Sequence, residues 1–279
     1  MAQAERHGGR TAVVDSQGSF TYNDLLDASS RVASALLAGR EDLQEQRVAF
    51  LLAPGFHWVA VLWGIWRAGG VAVPLPLNCP RSELEYFIDD TKGSTLVFDA
   101  AAENQLAPIA EVRHIRALRY EQALACQSAE LPDIASARRA MILYTSGTTN
   151  RPKGVVTTHA NIAAQITSLI EAWEWSADDR ILLFLPLHHI HGIVNVVSCA
   201  LWSGATCEVL PRFDANAVWE CIAGSSLTLF MAVPTIYVKL IAAWDAAPPE
   251  RRAELSQACA KLRLMVSGSA ALPVSTLER

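Results

Sequence analysis

From Thr145 to Gly154 the chain reads Thr-Ser-Gly-Thr-Thr-Asn-Arg-Pro-Lys-Gly. Five small or hydroxylated residues in a row make a poor core, and the lysine that follows suggests an anion. Successive backbone N–H groups in a tight, glycine-containing turn form an anion-binding concavity. The hydroxyls of Thr145, Ser146, Thr148 and Thr149 add donors beside Gly147, and Lys153 adds a mobile charge suited to phosphate. Pro152 stiffens the turn, and Gly154 is expected to permit an unusual backbone angle. The stretch is not a G-x-x-x-x-G-K-[ST] loop, because Pro152 precedes the lysine and Gly154 follows it. A polar surface hairpin has the same bare composition, so that reading stays open at this point.

Two more polar sequences carry candidate chemistry. His188, His189 and His191 have the look of a metal cluster on spacing alone, but zinc needs a third or fourth ligand from elsewhere and no partner sequence stands out. The alternatives are a site-lining loop or satisfied core histidines. Ser267–Ala270 is the other.

The elements that must position these residues alternate between short apolar runs and longer amphipathic ones. Strands are expected at 47–52, 71–75, 94–98, 141–145, 180–187, 205–211, 227–234 and 262–269. Helices are expected over 54–70, 79–93, 159–173, 192–202, 214–223 and 234–244. Asp214 reads as an N-cap, and Ser82 with Glu85 has capping-box spacing. This order implies parallel pairing with right-handed crossovers, that is, an α/β chain with doubly wound, mostly parallel sheets. Ligands in such sheets sit beyond the carboxyl ends of the strands. Thr145–Thr149, His188–Gly192 and Ser267–Ala270 all fall at such ends. Residues 99–139 are less regular and read as a peripheral connection. The expected division is therefore 1–139 for a first α/β part and 140–279 for the phosphate-loop strand and a second part. The closing residues ALPVSTLER look like the first turn of another helix, so the chain is expected to be the front part of something longer.

Composition limits the function classes. Of 279 residues, 51% are hydrophobic and 18% charged, which supports a large core and argues against disorder. A formal charge of −5 with no basic run excludes nucleic acid as the expected partner. Cys79, Cys126, Cys199, Cys207, Cys221 and Cys259 form no C-x-x-C pair, the usage of buried free thiols in a reducing, cytoplasmic setting. The start has no apolar signal region, and no apolar stretch approaches the ~20 residues of a membrane span.

The string Thr145–Gly154 resembles the phosphate-binding signature of the adenylate-forming (AMP-binding) superfamily, [ST]-[ST]-G-[ST]-T-G-x-P-K-G. Asn150 stands where that signature has glycine, and asparagine tolerates left-handed backbone angles. FTYNDLLDASSRVASAL, GGVAVPLPLNCPRSELEYFIDD, FLPLHHIHGI, FMAVPTIY and LRLMVSGSAALP resemble further segments of that family. The pairing of LPLHHIHG, FMAVPTIY and VSGSAALP is most similar to malonyl-CoA synthetases.

The resemblance implies the N-terminal domain fold of these enzymes and an ATP-dependent acid–thiol ligase, a malonyl-CoA or short-chain acyl-CoA synthetase. It would act on a small carboxylic acid, ATP and coenzyme A with Mg²⁺. Thr145, Ser146, Gly147, Thr148, Thr149, Lys153 and Gly154 would hold the β- and γ-phosphates. His189 would line the acyl pocket near the reacting carboxylate and, with Lys153, serve catalysis. Gly268, Ser269 and Ala270 would border the adenine and acyl sites. Met231 and Val233 would wall the acyl tunnel, although strand residues of this type can equally be plain core. The family's Y-G-x-T-E motif and its C-terminal domain with a catalytic lysine do not occur within the sequence, so the 279 residues alone are expected to be inactive. A carrier-protein-loading adenylation domain and an inactive nucleotide- or acyl-binding module are the alternatives.

Overall fold

The computed structural model describes residues 1–145 and 151–279. In chain order the elements are α1 (Ala2–Arg6), β1 (Thr11–Asp15), β2 (Gly18–Thr21), α2 (Tyr22–Leu37), β3 (Arg47–Leu51), α3 (Phe56–Arg67), β4 (Val71–Pro74), α4 (Arg81–Thr91) and β5 (Thr95–Phe98). Then come α5 (Glu103–Arg113), β6 (Arg116–Arg119), α6 (Tyr120–Leu124), β7 (Arg139–Thr145), β8 (Lys153–Thr158), α7 (His159–Trp173) and β9 (Arg180–Leu183). A π-helical stretch, His191–Ser198, runs directly into α8 (Cys199–Ser203). The rest is β10 (Thr206–Val209), α9 (Ala215–Gly224), β11 (Leu229–Ala232), α10 (Pro234–Ala246), α11 (Pro249–Cys259), β12 (Leu264–Ser267) and α12 (Val274–Leu277).

Two six-stranded sheets result, in the orders β12-β11-β9-β10-β1-β2 and β6-β5-β3-β4-β7-β8. The pairs are parallel except for the β1–β2 and β7–β8 hairpins. The sheets do not follow the expected division at 139/140. Strand β1 joins the later strands through β10, and β7 joins the earlier ones through β4. Strand pairing with the best buried partner overrides sequence order, so each sheet borrows a hairpin from the other half of the chain.

Helix α3 explains why the sheets hold together. Its residues from Trp58 to Ile65 are all buried, the pattern of a helix enclosed on every side. Val32 of α2 lies so close that a Cβ on Gly64 would meet its Cγ1 at 2.5 Å, so only glycine fits there. Helix α2 opens with a reciprocal Thr21/Asp24 capping box.

Several expectations shift. Ser82 and Glu85 form no capping box: α4 starts after Pro80, and Glu85 instead pairs with Arg81 at 2.9 Å. The segment 99–139 contains α5, β6 and α6 rather than a bare connection. Strand β6 is an edge strand with only Leu118 buried, so it lacks an apolar period to announce it. The expected 192–202 helix begins in π form. Strand β9 stops at Leu183, and the buried residues after it belong to a loop. Cys79, Cys199 and Cys207 are buried, whereas Cys126, Cys221 and Cys259 are half-buried free thiols. Among the described residues no helix is long and apolar enough to cross a membrane.

Candidate functional site

Strands β7 and β8 form the arms of the candidate phosphate loop. Their antiparallel register sets Thr145 opposite Lys153 and Tyr144 opposite Gly154. Ser146, Gly147, Thr148, Thr149 and Asn150 lie outside the described residues. Gly154 serves a purpose other than the expected one. It sits in a strand without a positive φ, and a Cβ there would stand 3.0 Å from Ile142 Cγ2 and 3.4 Å from the Tyr144 ring. Close packing, not an unusual backbone angle, favours glycine there.

The arm leading out of the loop is tied to α4. The Tyr86 hydroxyl donates to the Pro152 carbonyl at 2.8 Å, and the Arg151 guanidinium lies 5.6 Å from the centre of the Tyr86 ring. Tyr144 donates to Asp90 at 2.6 Å. Burial, reinforced by the Asp90 carboxylate, pushes the Tyr144 phenol up, so it stays protonated. Tyr86→Phe removes one hydrogen bond from the loop's exit arm. The expected loss is about 1 kcal/mol, a several-fold weakening of ATP binding if the tie orders Lys153. Calorimetric titration with ATP checks this, and an unchanged affinity would show that Tyr86 only packs.

Beside Thr145 opens a cavity of about 450 Å³. Leu143, Tyr144, Val155, Leu185, Pro186 and Ile190 make most of its wall apolar, and Thr145, Thr157, His188, His189, His191 and Ser269 supply polar groups. Four expected site residues meet here: Thr145, His189, Val233 and Ser269. Met231 does not; it is wholly buried within β11, whose four residues are all core, whereas Val233 lies just past the strand as the N-cap of α10. Gly268 and Ala270 flank Ser269 without lining the cavity, and the Gly268 N–H donates to Ala232 O, extending the β11–β12 pairing. Lys153 and Gly154 stand on the neighbouring ladder rather than in the wall.

His191, which spacing offered only as part of a metal-like cluster with His188 and His189, meets Ser269 here. It is 6% exposed, and its Nδ1 lies 3.1 Å from the Ser269 hydroxyl, while Nε2 has no partner among the described residues. Ser269 adopts a φ of 67°, a left-handed angle uncommon for serine. Both residues fall after expected strand ends, and His191 also stands in the His188, His189 and His191 spacing.

The histidines supply hydrogen-bonding groups rather than charge. Burial lowers His189 and His191 below the ordinary imidazole range, and burial plus the adjacent His189 takes His188 down to about 4. The His188 and His189 rings stand 4.2 Å apart, so two charges there would also repel. A group held neutral in the folded state is protonated first in the unfolded chain. Its stabilisation is therefore complete above the unfolded value near 6.5 and is lost as pH falls toward about 4. Thermal melts between pH 7 and 4.5 are expected to fall, and His188→Gln to flatten that fall; an identical pH slope in the variant would contradict the assignment.

Among the described residues the cavity wall holds no carboxylate, and no three His, Cys, Asp or Glu side chains are grouped to hold a metal. The described residues alone supply no such ligand set for magnesium. The arrangement can instead bring a lysine, hydroxyls and neutral imidazoles to an anionic ligand beside an apolar pocket.

The whole of residues 1–279 matches one family, described as AMP-binding enzyme. The chain belongs to that family. Among AMP-binding enzymes, a mitochondrial malonate–CoA ligase, ACSF3, of Homo sapiens is 43% identical over 296 residues, covering 100% of this chain and 51% of that protein. The Mus musculus protein of the same name is 43% identical, covering 98% and 50%. The crystal structure of ATP-bound MatB from Rhodopseudomonas palustris superposes with a TM-score of 0.84 at 28% identity, covering 98% of this chain and 56% of that one. The chain thus has the mixed α/β fold of the AMP-binding N-terminal domain and spans about half the length of the relatives it matches.

Proposed function

We propose that these residues supply the phosphate loop and acyl pocket of an ATP-dependent acid–thiol ligase that uses malonate and acts through an acyl-adenylate. The observation that carries this reading is the register of Lys153 opposite Thr145 beside the cavity that also gathers His189, Val233 and Ser269. A carboxylate oxygen attacks the α-phosphorus of ATP, and the bond to the departing pyrophosphate breaks. Coenzyme A thiol then attacks the acyl carbon and displaces AMP. Both reactants of the first step are anions, so catalysis consists mainly of charge neutralisation and alignment. Lys153 neutralises charge on the phosphates. His189 and Ser269, uncharged, orient the acid, with His191 fixing the Ser269 hydroxyl. Thr145 extends the line of donors into the loop, and Gly268 and Ala270 shape the adenine side.

Malonate as the acid rests on the malonate–CoA ligases named above. Turnover is assigned to a protein of the relatives' length, and the 279 residues alone are expected to bind without forming a CoA ester. The free thiols suit a reducing compartment, and we assign the cytoplasm. The experiment is calorimetric titration of the chain, saturated with a non-hydrolysable ATP analogue, with malonate, acetate and octanoate. Malonate is expected to bind most tightly. Tighter binding of octanoate would overturn the short-chain assignment.

A further inference from the structure

A larger cavity, about 550 Å³, lies elsewhere in the molecule. Helix α3 starts after β3 and ends before β4, and α8 ends just before β10; both therefore finish at the amino-terminal ends of their parallel strands. Helix α7 begins there too, because β8 runs antiparallel and its Thr158 pairs with Arg139 at the start of β7. The cavity sits where these three helix ends meet. It is thus at the opposite end of the strands from Thr145 and Ser269, and the proposed reaction does not use it.

Its wall is unusual for plain packing. Trp63, Trp66 and Trp202 line it together with Ile162, Ile166 and Leu201. Two polar groups interrupt that surface. Arg67 spends only Nη1, on Leu26 O at 2.6 Å and Ser29 Oγ at 2.7 Å; Nε and Nη2 have no partner among the described residues. His159 has a buried Nε2 that is likewise without a partner among the described residues, while its ring stands edge-on to Trp66 at 5.8 Å. A buried polar atom without a partner is costly, and a ligand acceptor in the cavity would satisfy it. Asp133 is the acidic side chain of the wall and is exposed to solvent. Glu5 is close enough to favour the Arg67 charge but makes no ion pair with it among the described residues.

We propose that this cavity is a second small-molecule site, taking an aromatic carboxylate whose ring lies among the tryptophans and whose oxygens meet Arg67 and His159 Nε2. Apolar walls with a few convergent polar groups are the general form of such sites, and 550 Å³ falls in their usual range of about 300–1,000 Å³. Indole rings favour an aromatic guest through offset or edge-to-face contact. A guanidinium with two unused donor positions favours a carboxylate over a neutral group.

The test is calorimetric titration of the chain with 2-naphthoate, alongside tryptophan emission. Binding at one site with quenched emission is expected, and 2-naphthamide should bind at least about tenfold more weakly because it lacks the charge. Arg67→Met should weaken 2-naphthoate by a similar factor. Arg67 also ties α3 to α2, so a second variant guards against loss of fold. Ala163→Phe fills the cavity from α7 and should abolish binding with no fall in melting temperature. Unchanged 2-naphthoate affinity in Ala163→Phe would overturn the proposal, placing the ligand elsewhere, for instance in the acyl pocket. Equal affinity for naphthoate and naphthamide, or no binding of either, would overturn it as well.

Discussion

Asp179→Ala is expected to destabilise the fold by about 3–5 kcal/mol, the cost of breaking a buried ion pair from one side. The Asp179 side chain is 2% exposed and accepts from Arg263 Nε at 2.7 Å and Nη2 at 2.5 Å. It also accepts from the Thr228 hydroxyl at 2.6 Å and the Ser176 N–H at 2.8 Å. Arg263 in turn donates to the last carbonyls of α7, at Trp173 and Glu174. One carboxylate therefore joins α7, the entry to β9 and the entry to β12. Burial pushes its proton affinity up, but the Arg263, Thr228 and Ser176 hydrogen bonds outweigh burial and hold it below the usual carboxylate range. The folded value lies below the unfolded one, so this stabilisation is present above the unfolded value near 4 and is lost as pH falls through the folded value. Denaturant unfolding at pH 7 measures the loss. A change under 1 kcal/mol would show that the network is not carrying the joint. Asp179→Asn should cost less than alanine, because the amide oxygen can still accept from Arg263.

This network shows why parts of the structure could not be read in the chain. Asp179 and Arg263 are 84 residues apart, and neither lies in a motif, so only the folded strand order brings them together. The alternation of buried runs such as RVAFL and LFMA with amphipathic helices was legible, because two-sided burial leaves a continuous apolar signature. Strand β8 was not, since Val155 and Val156 are exposed and it follows directly from a polar loop. The assignment of β1 and β2 to the sheet of later strands depends on pairing with β10, to which local sequence contributes nothing. At the site, Thr145, His189, Val233 and Ser269 were legible through strand-end position and family resemblance. Met231, named by the same cue, is buried inside β11, whereas Val233 stands beyond the strand's end at the start of α10. His191 and Tyr86 act through contacts with Ser269 and Pro152 that no spacing rule encodes.

We propose that residues 145–153 hold the phosphates of ATP and that Lys153 supplies the charge. Lys153 is exposed and makes no ion pair among the described residues, so Lys153→Ala should leave the unliganded fold within about 0.5 kcal/mol of the parent. A ligand at a hundredfold excess over its Kd, bound only to the folded state, stabilises by about 2.7 kcal/mol, or roughly 5–10 °C for a chain of this length. Losing a charge-assisted contact to phosphate removes about 1.5–3 kcal/mol of that affinity, roughly ten- to a hundredfold. Melting curves of the parent and of Lys153→Ala, each with and without ATP, decide the matter most directly. A clear rise with ATP is expected for the parent and little or none for the variant, at equal unliganded melting temperatures. An equal rise in both proteins, or no rise in the parent, would contradict it.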